Sequence, residues 1–477
     1  MGTIFRIGKK LLLKGVTMAL SQKELRSNIW RLAWPAILRM SFQTSVGIVT
    51  LILVGNYLMA EAVAAIGLAQ RILFLVIGTM VALGVGTTAL VAHNYGAGNK
   101  EIANIILSQS IILGVISAII LAFTLDKLGP YAIKLLMISN PDPEVIKMSS
   151  SYLKVIGYSL ILGILMMIIN AGLQGAGDMK TPMFFTIGMN ILTIVLGIIL
   201  IPGLGPIPSL GLIGAGLAEG ISRALGGIIA LSFLLKHRLV VKLSLKDLLT
   251  WRPEVIKNIL NIGLPSAGEQ LVRQSSQIVY TIFIAGLGTV AIAANQIVMT
   301  IQSVSFMPGF GFGLAATTLV GQSLGAKQAD NAERYGYQIS KYAMLFMGLM
   351  GAIFFFFAQP IAEIFVQEKD VADLAAKCLH IVAFSQIPFS ILMVLNGGLR
   401  GAGDTRWVMY ITTLGQWGIR LVLTLLLIWL GFGLVGVWIA MLIDLVLRSM
   451  LILWRYRSGR WKNIITKDND KPKIQLS

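Results

Sequence analysis

Twelve runs of about twenty predominantly apolar residues begin near positions 29, 62, 103, 149, 181, 211, 256, 290, 337, 371, 406 and 433 of this 477-residue chain. A helix rising about 1.5 Å per residue crosses a hydrocarbon layer of about 30 Å in that length. Inside the layer every backbone N–H and C=O has to be paired within its own segment or a closed barrel. The predicted fold is therefore all-α, a polytopic membrane protein with twelve transmembrane helices. Composition agrees: charged residues are 13% and hydrophobic residues 56% of the chain, against about 25% charged in soluble domains. Pro35 falls inside the first run and is tolerable there, because neighbouring helices re-satisfy the backbone group that it frees.

The net charge of +18 (39 basic less 21 acidic residues) is concentrated in short connections and tails. Lys9, Lys10, Lys14, Lys23 and Arg26 precede helix 1, Lys236, Arg238, Lys242, Lys246, Arg252 and Lys257 lie between helices 6 and 7, and Arg455, Arg457, Arg460, Lys462 and Lys467 end the chain. The opposite connections "NYLMAEAVAA", "PGLGPIPSLG" and "GLGTVAIAAN" have no basic residue. The positive-inside rule predicts a multi-pass protein of the cell (inner) membrane with both termini cytoplasmic. The expected layout is a cytoplasmic N-terminal segment 1–27, in part lying on the membrane surface, an N-lobe 28–236 (helices 1–6), a cytoplasmic linker 237–255, a C-lobe 256–456 (helices 7–12) and a basic tail 457–477. Nucleic acid is not an expected partner, since neither a basic recognition helix nor zinc spacing accompanies the charge. One cysteine, Cys378, excludes an internal disulfide framework, and His93, His237 and His380 are scattered rather than clustered as metal ligands.

The chain also repeats itself. "WPAIL" at 34–38 answers "LPSAG" at 264–268, "TTALVAHNYGAGNKE" at 87–101 answers "ATTLVGQSLGAKQAD" at 316–330, and "NAGLQGAGD" at 170–178 answers "NGGLRGAGD" at 396–404. Two six-helix halves of like topology follow, an arrangement typical of transporters with a substrate path at the repeat interface. Both "GAGD" copies follow an even-numbered helix, so Asp178/Lys180 and Asp404/Arg406 read as loop charges capping helices 5 and 11. A nucleotide or metal role for these loops does not fit that position.

The segments "LVGNYLMAEAVAAIGLA", "GVGTTALVAHNYGAGN", "LQGAGDMKTP", "IAGLGTVAIAANQI", "LRGAGDTR" and "WIAMLIDLVLRSMLILWRYRSGRW" occur in order across about residues 25–462. In these the chain resembles the MATE (multidrug and toxic compound extrusion) family. The resemblance implies two six-helix bundles around a V-shaped cavity, and antiport in which a drug leaves as sodium or protons enter. Bacterial relatives usually carry a cation-coupling aspartate in helix 1, where "GIVTLILVG" has Thr50 instead, and "MNILTIVLGIIL" of helix 5 likewise has no acid. The helix 7 acid of many relatives is matched by Glu269 in "LPSAGEQLVRQ".

A charge inside the membrane costs roughly 2.5–3.5 kcal/mol on insertion scales and marks function by default. Arg39, Arg71, Glu219, Arg223, Glu269, Arg273, Arg420, Asp444 and Arg448 make up that set. Glu219/Arg223, Glu269/Arg273 and Asp444/Arg448 are acid-to-arginine pairs at i, i+4, on one helix face each. Two readings of Glu269 stay open: a site for the coupling cation (a proton, or sodium held with hydroxyl and carbonyl oxygens) or a fixed pair with Arg273. Arg39 occupies the N-half position equivalent to Glu269, which predicts either a pairing of the two across the pseudo-axis or attraction of an anionic substrate group by Arg39. Arg420 has Asp444 as its candidate partner.

Gln43, Asn170, Asn190, Gln274, Asn396 and Gln416 are uncharged cavity candidates, with Asn170/Asn396 and Asn190/Gln416 at equivalent positions; such amides serve equally to join helices. There is no G-x-x-x-x-G-K-[ST] loop and so no nucleotide-driven pump in this chain, and no convincing catalytic constellation. The sequence reading is a cofactor-free, monomeric, cation-coupled (H+ or Na+) exporter of a small amphipathic molecule, embedded among membrane lipids. A flippase or exporter of an anionic, lipid-linked substrate is the alternative.

Overall fold

A computed structural model describes residues 20–465, apart from 138–141, 205, 207, 237–238, 244–246 and 249. The expected surface segment before residue 20 and the basic tail after 465 lie outside the described residues. Twelve long helical segments run α1 Gln22–Tyr57, α2 Ala60–Gly96, α3 Lys100–Leu136, α4 Pro143–Gly175, α5 Lys180–Leu200, α6 Gly211–Leu235, α7 Pro253–Ala285, α8 Thr289–Gly325, α9 Ala329–Phe356, α10 Lys369–Gly401, α11 Thr405–Trp429 and α12 Gly433–Arg457. A two-turn helix, Ala358–Phe365, follows α9. Ten of the twelve are long and apolar enough to cross a membrane by length and composition; α1 and α7 fall outside that group. They are the helices that carry Arg39 and the Glu269/Arg273 pair.

The start of α1 has a local cause. Ser21 and Glu24 form a capping box: the Ser21 N–H donates to Glu24 Oε2 (3.0 Å) and the Glu24 N–H to Ser21 Oγ (3.3 Å). Residues 22–27, expected in a surface segment, are thus the first turns of α1.

The duplication is written in matched contacts. Thr88 Oγ donates to the Ala171 carbonyl (3.0 Å) in one half, and Thr317 Oγ to the Gly397 carbonyl (2.9 Å) in the other. The halves meet at the end of the molecule where α1 and α7 begin and α2, α4, α8, α10 and α12 finish. There a Cβ on Gly96 would overlap the Gln322 carbonyl, and one on Gly325 would overlap the His93 carbonyl. Those two contacts are each other's repeat equivalents, so α2 and α8 touch backbone to backbone through glycine. Thr318 Oγ donating to the Gln174 carbonyl (2.9 Å) and Gln322 Nε2 to the Gly175 carbonyl (2.8 Å) close the same seam.

The lobes are not cut cleanly between helices 6 and 7. Leu25, Ile29, Leu32 and Ile37 of α1 belong to the core of the second half, while Val255, Ile259 and Ile262 of α7 belong to that of the first. Further along, Tyr280 and Ile284 of α7 return to the second-half core. Each half lends the start of its first helix to the other.

The two "GAGD" turns differ in use. Asp178 caps α5 as expected, its Oδ1 accepting the N–H groups of Lys180 (3.1 Å) and Thr181 (3.0 Å). Asp404 is buried and its side chain makes no cap to α11; it accepts the Arg455 Nε–H (2.8 Å) instead. The carboxylate is oriented toward α12, which brings a guanidinium within reach of Oδ2, and a charge-assisted bond is the stronger one.

Candidate functional site: a buried carboxylate held by two arginines

In α7, Pro265 frees one backbone carbonyl and precedes a run of polar side chains. Glu269, one turn on, is 1% exposed. Its Oε1 accepts from Arg273 Nη2 (2.5 Å) and from Arg400 Nη2 (2.7 Å), and its Oε2 also accepts from Arg400 Nη2 (2.6 Å). The i, i+4 pair is thus present, with a second cation from the last turn of α10. The arginines keep 31% (Arg273) and 25% (Arg400) of their side chains accessible, and each has a buried Nε with no partner. Charge in the cluster sums to +1.

Arg400 is not among the candidates that the sequence offers by spacing; it stands inside the repeated "NGGLRGAGD" segment. The signal lay in comparing the repeats: the acid of one half (Glu269 against Arg39) is matched by a base in the same half (Arg400 against Gln174).

The other intramembrane acids are paired as well, Asp444 in a closed pair and Glu219 in a partly accessible one. Arg448 donates twice to Asp444 (Nε 2.7 Å, Nη2 2.5 Å), both side chains being buried. The pair packs against Gly415, where a Cβ would overlap Arg448. Gly415 lies in a π-helical stretch of α11, Leu414–Arg420, whose wider turn alters the direction of the residues after it. Arg420 leaves that stretch over the Tyr280 ring (4.3 Å to the centroid) and makes no ion pair with Asp444, contrary to expectation, since Arg448 already occupies both carboxylate oxygens. Glu219 pairs with Arg223 and accepts from the Tyr152 hydroxyl (3.0 Å).

Arg39 is buried (8% exposed), and among the described residues no acid is within ion-pair distance. It does not meet Glu269 across the pseudo-axis, because both oxygens of that carboxylate are taken by arginines of its own half. Thr50 is half-buried and adds no charge; Gln43 is exposed and Gln274 half-buried. Asn170 and Asn396 are both buried with an unpartnered Oδ1, a symmetric pair of free acceptors. Asn190 is buried with an unpartnered Nδ2, and Gln416 is buried in the π-helical stretch. A mainly apolar crevice of about 530 Å3 lies across α7 from the cluster, between Leu75 of α2, Leu271, Ser275 and Ile278 of α7 and Trp417 of α11.

Comparison with known proteins meets this description. The MatE family profile matches residues 35–199 and 265–426, once in each half. The chain is 30% identical over 454 residues to a probable multidrug resistance protein NorM of Thermotoga maritima, covering 94% of this chain and 96% of that one. It is 28% identical over 439 residues to the uncharacterized transporter YisQ of Bacillus subtilis (91% and 94% covered). The solved structure of a MOP superfamily transporter from Pyrococcus furiosus shares the fold at a TM-score of 0.85 and 23% identity, over 92% of this chain and 96% of that one. Twelve helices in two repeats, sealed at one end by a glycine seam and matched by the profile in both halves, make this chain a member of the MatE family of multidrug and toxic compound extrusion transporters.

Proposed function

We propose that the chain is a cation-coupled antiporter, driven by H+ or Na+, that exports drugs or other amphipathic organic compounds by alternating access. The observation that carries this reading is the Glu269–Arg273–Arg400 cluster. It is a wholly buried carboxylate whose cationic partners remain partly accessible, unlike the sealed Asp444–Arg448 pair. A proton, or a sodium ion sharing the carboxylate, competes with the two guanidiniums. Winning that competition unties α7 from α10. Because the first half of α7 packs in the core of the N-terminal half, loosening it weakens the closed seam. The apolar crevice on the far side of α7 suits the hydrophobic part of an amphipath.

In this reading the seam faces the cytoplasm, as the basic residues around both termini and the helix 6–7 linker favour, and the protein works as a monomer in the cell membrane without a cofactor. Transport into proteoliposomes under separately imposed pH and sodium gradients tests it. Glu269→Gln is expected to abolish gradient-driven transport at normal expression, and full gradient-driven transport by that variant sinks the coupling role.

One observation supports a second reading, an anionic substrate: Arg39 and Arg420 are buried cations without a carboxylate partner among the described residues. Arg39→Ala then removes transport of an anionic dye while sparing a cationic one; equal losses for both refute it.

A further inference from the structure

A second cavity, of about 520 Å3, opens at the seam end where α7 passes the second "GAGD" turn. Its chemistry is unlike that of the crevice. Arg455 lines it, buried, with Nε–H given to Asp404 and the guanidinium over the Trp407 ring (4.7 Å to the centroid). Its Nη groups have no hydrogen-bond partner among the described residues. Arg406 also lines the cavity, exposed and without an acid partner among the described residues. Asn258 and Asn261, one turn apart on α7, add amide donors with no hydrogen-bond partner among the described residues. Against these donors stands one acid, Asp404, already answered by Arg455, so the cavity carries a net positive charge.

The rest of the lining is apolar and comes from both halves: Leu90 of α2 and Ile262 of α7 on one side, Ile464 and Ile465 after α12 on the other. Trp407 and Tyr410 line one side of it, and Trp454 of α12 packs next to Trp407. Trp407 lies 6.3 Å from Tyr410 and 6.2 Å from Trp454, ring to ring, and Tyr410 (54%) and Trp454 (57%) are exposed. Amphipathic rings collect at the depth of lipid headgroups, and basic pockets between membrane helices take anionic headgroups.

We propose that this cavity binds the phosphate-bearing headgroup of an anionic phospholipid, with Arg406 and the free Nη groups of Arg455 on the phosphate and the amides of Asn258 and Asn261 on the remaining headgroup oxygens. An occupant touches α2, α7, α11 and the segment after α12 together, and so holds the seam end closed. The site stands whichever substrate the transporter carries.

Native mass spectrometry of the full chain, titrated with phosphatidylglycerol or phosphatidylcholine in detergent, tests this. Saturable, phosphatidylglycerol-selective binding is expected. It should weaken about tenfold in Arg406→Ala, in line with loss of one charge-assisted contact, and be retained in Arg406→Lys. Thermal unfolding of both variants should match the parent, since Arg406 is exposed and unpaired. Equal binding of the two lipids, or selectivity unchanged in Arg406→Ala, overturns the site. Displacement of the lipid by millimolar glycerol phosphate overturns the assignment to lipid in favour of a soluble organic phosphate.

Discussion

Replacing Glu269 by Gln removes the charge to which two guanidiniums are tied, while keeping the side chain's shape. Three short contacts are affected, one from Arg273 and two from Arg400. The amide oxygen still accepts one of them, but the arginines are left as like charges side by side. Losing one partner of a buried ion pair costs about 3–5 kcal/mol. The lower end applies, because Arg273 and Arg400 are 31% and 25% exposed and rehydrate in part. The expected loss is therefore about 3 kcal/mol for Glu269→Gln. Arg400→Gln, which installs the residue of the other repeat, leaves Arg273 to neutralise the acid and should cost about 1.5 kcal/mol, one charged hydrogen-bonding partner. With both changes made, no buried acid is left to be stranded, so the double variant should lie well short of the sum, with a coupling of at least about 1 kcal/mol. Equilibrium unfolding in mixed SDS micelles, followed by tryptophan fluorescence, measures all four corners of the cycle. Additivity within about 0.3 kcal/mol would show that the contacts carry no shared energy, and the lock assigned to them fails.

Gly325→Ala should prevent α2 and α8 from closing, since the new methyl overlaps the His93 carbonyl; spin labels at the seam ends of these helices are expected to move apart, and an unchanged distance counts against the seam. Gly415→Ala places a methyl on the Asp444–Arg448 pair and should destabilise by about 1–3 kcal/mol as overpacking does, seen as earlier unfolding on heating. Trp461 is fully buried, stacked on Tyr456 at 4.5 Å, and donates to the Tyr456 carbonyl (2.7 Å). Trp461→Ala should cost about 3–5 kcal/mol, and a melting temperature within a degree of the parent refutes that packing.

Helix number, fold class and duplication follow from the sequence alone, because a bilayer demands length and internally paired backbone, and both are local properties. The i, i+4 pairs Glu219/Arg223, Glu269/Arg273 and Asp444/Arg448 were legible for the same reason: one helix turn places the partners together wherever the helix lies. The capping box at Ser21 is equally local, a Ser-x-x-Glu spacing within a basic segment.

What the tertiary structure decided are the contacts between helices far apart in the chain. Arg400 stands 131 residues from Glu269, and its reach to that carboxylate depends on how α7 and α10 are rotated against each other. Asp404 finds Arg455, Arg420 meets Tyr280 instead of Asp444, and Arg39 is left without an acid among the described residues, all for the same reason. Two copies of one motif carry the same local instruction, yet the side chains arriving from other helices differ, so Asp178 caps a helix while its counterpart Asp404 braces a pocket. Periodicity and spacing state which residues share a helix face; only helix crossing states what that face meets.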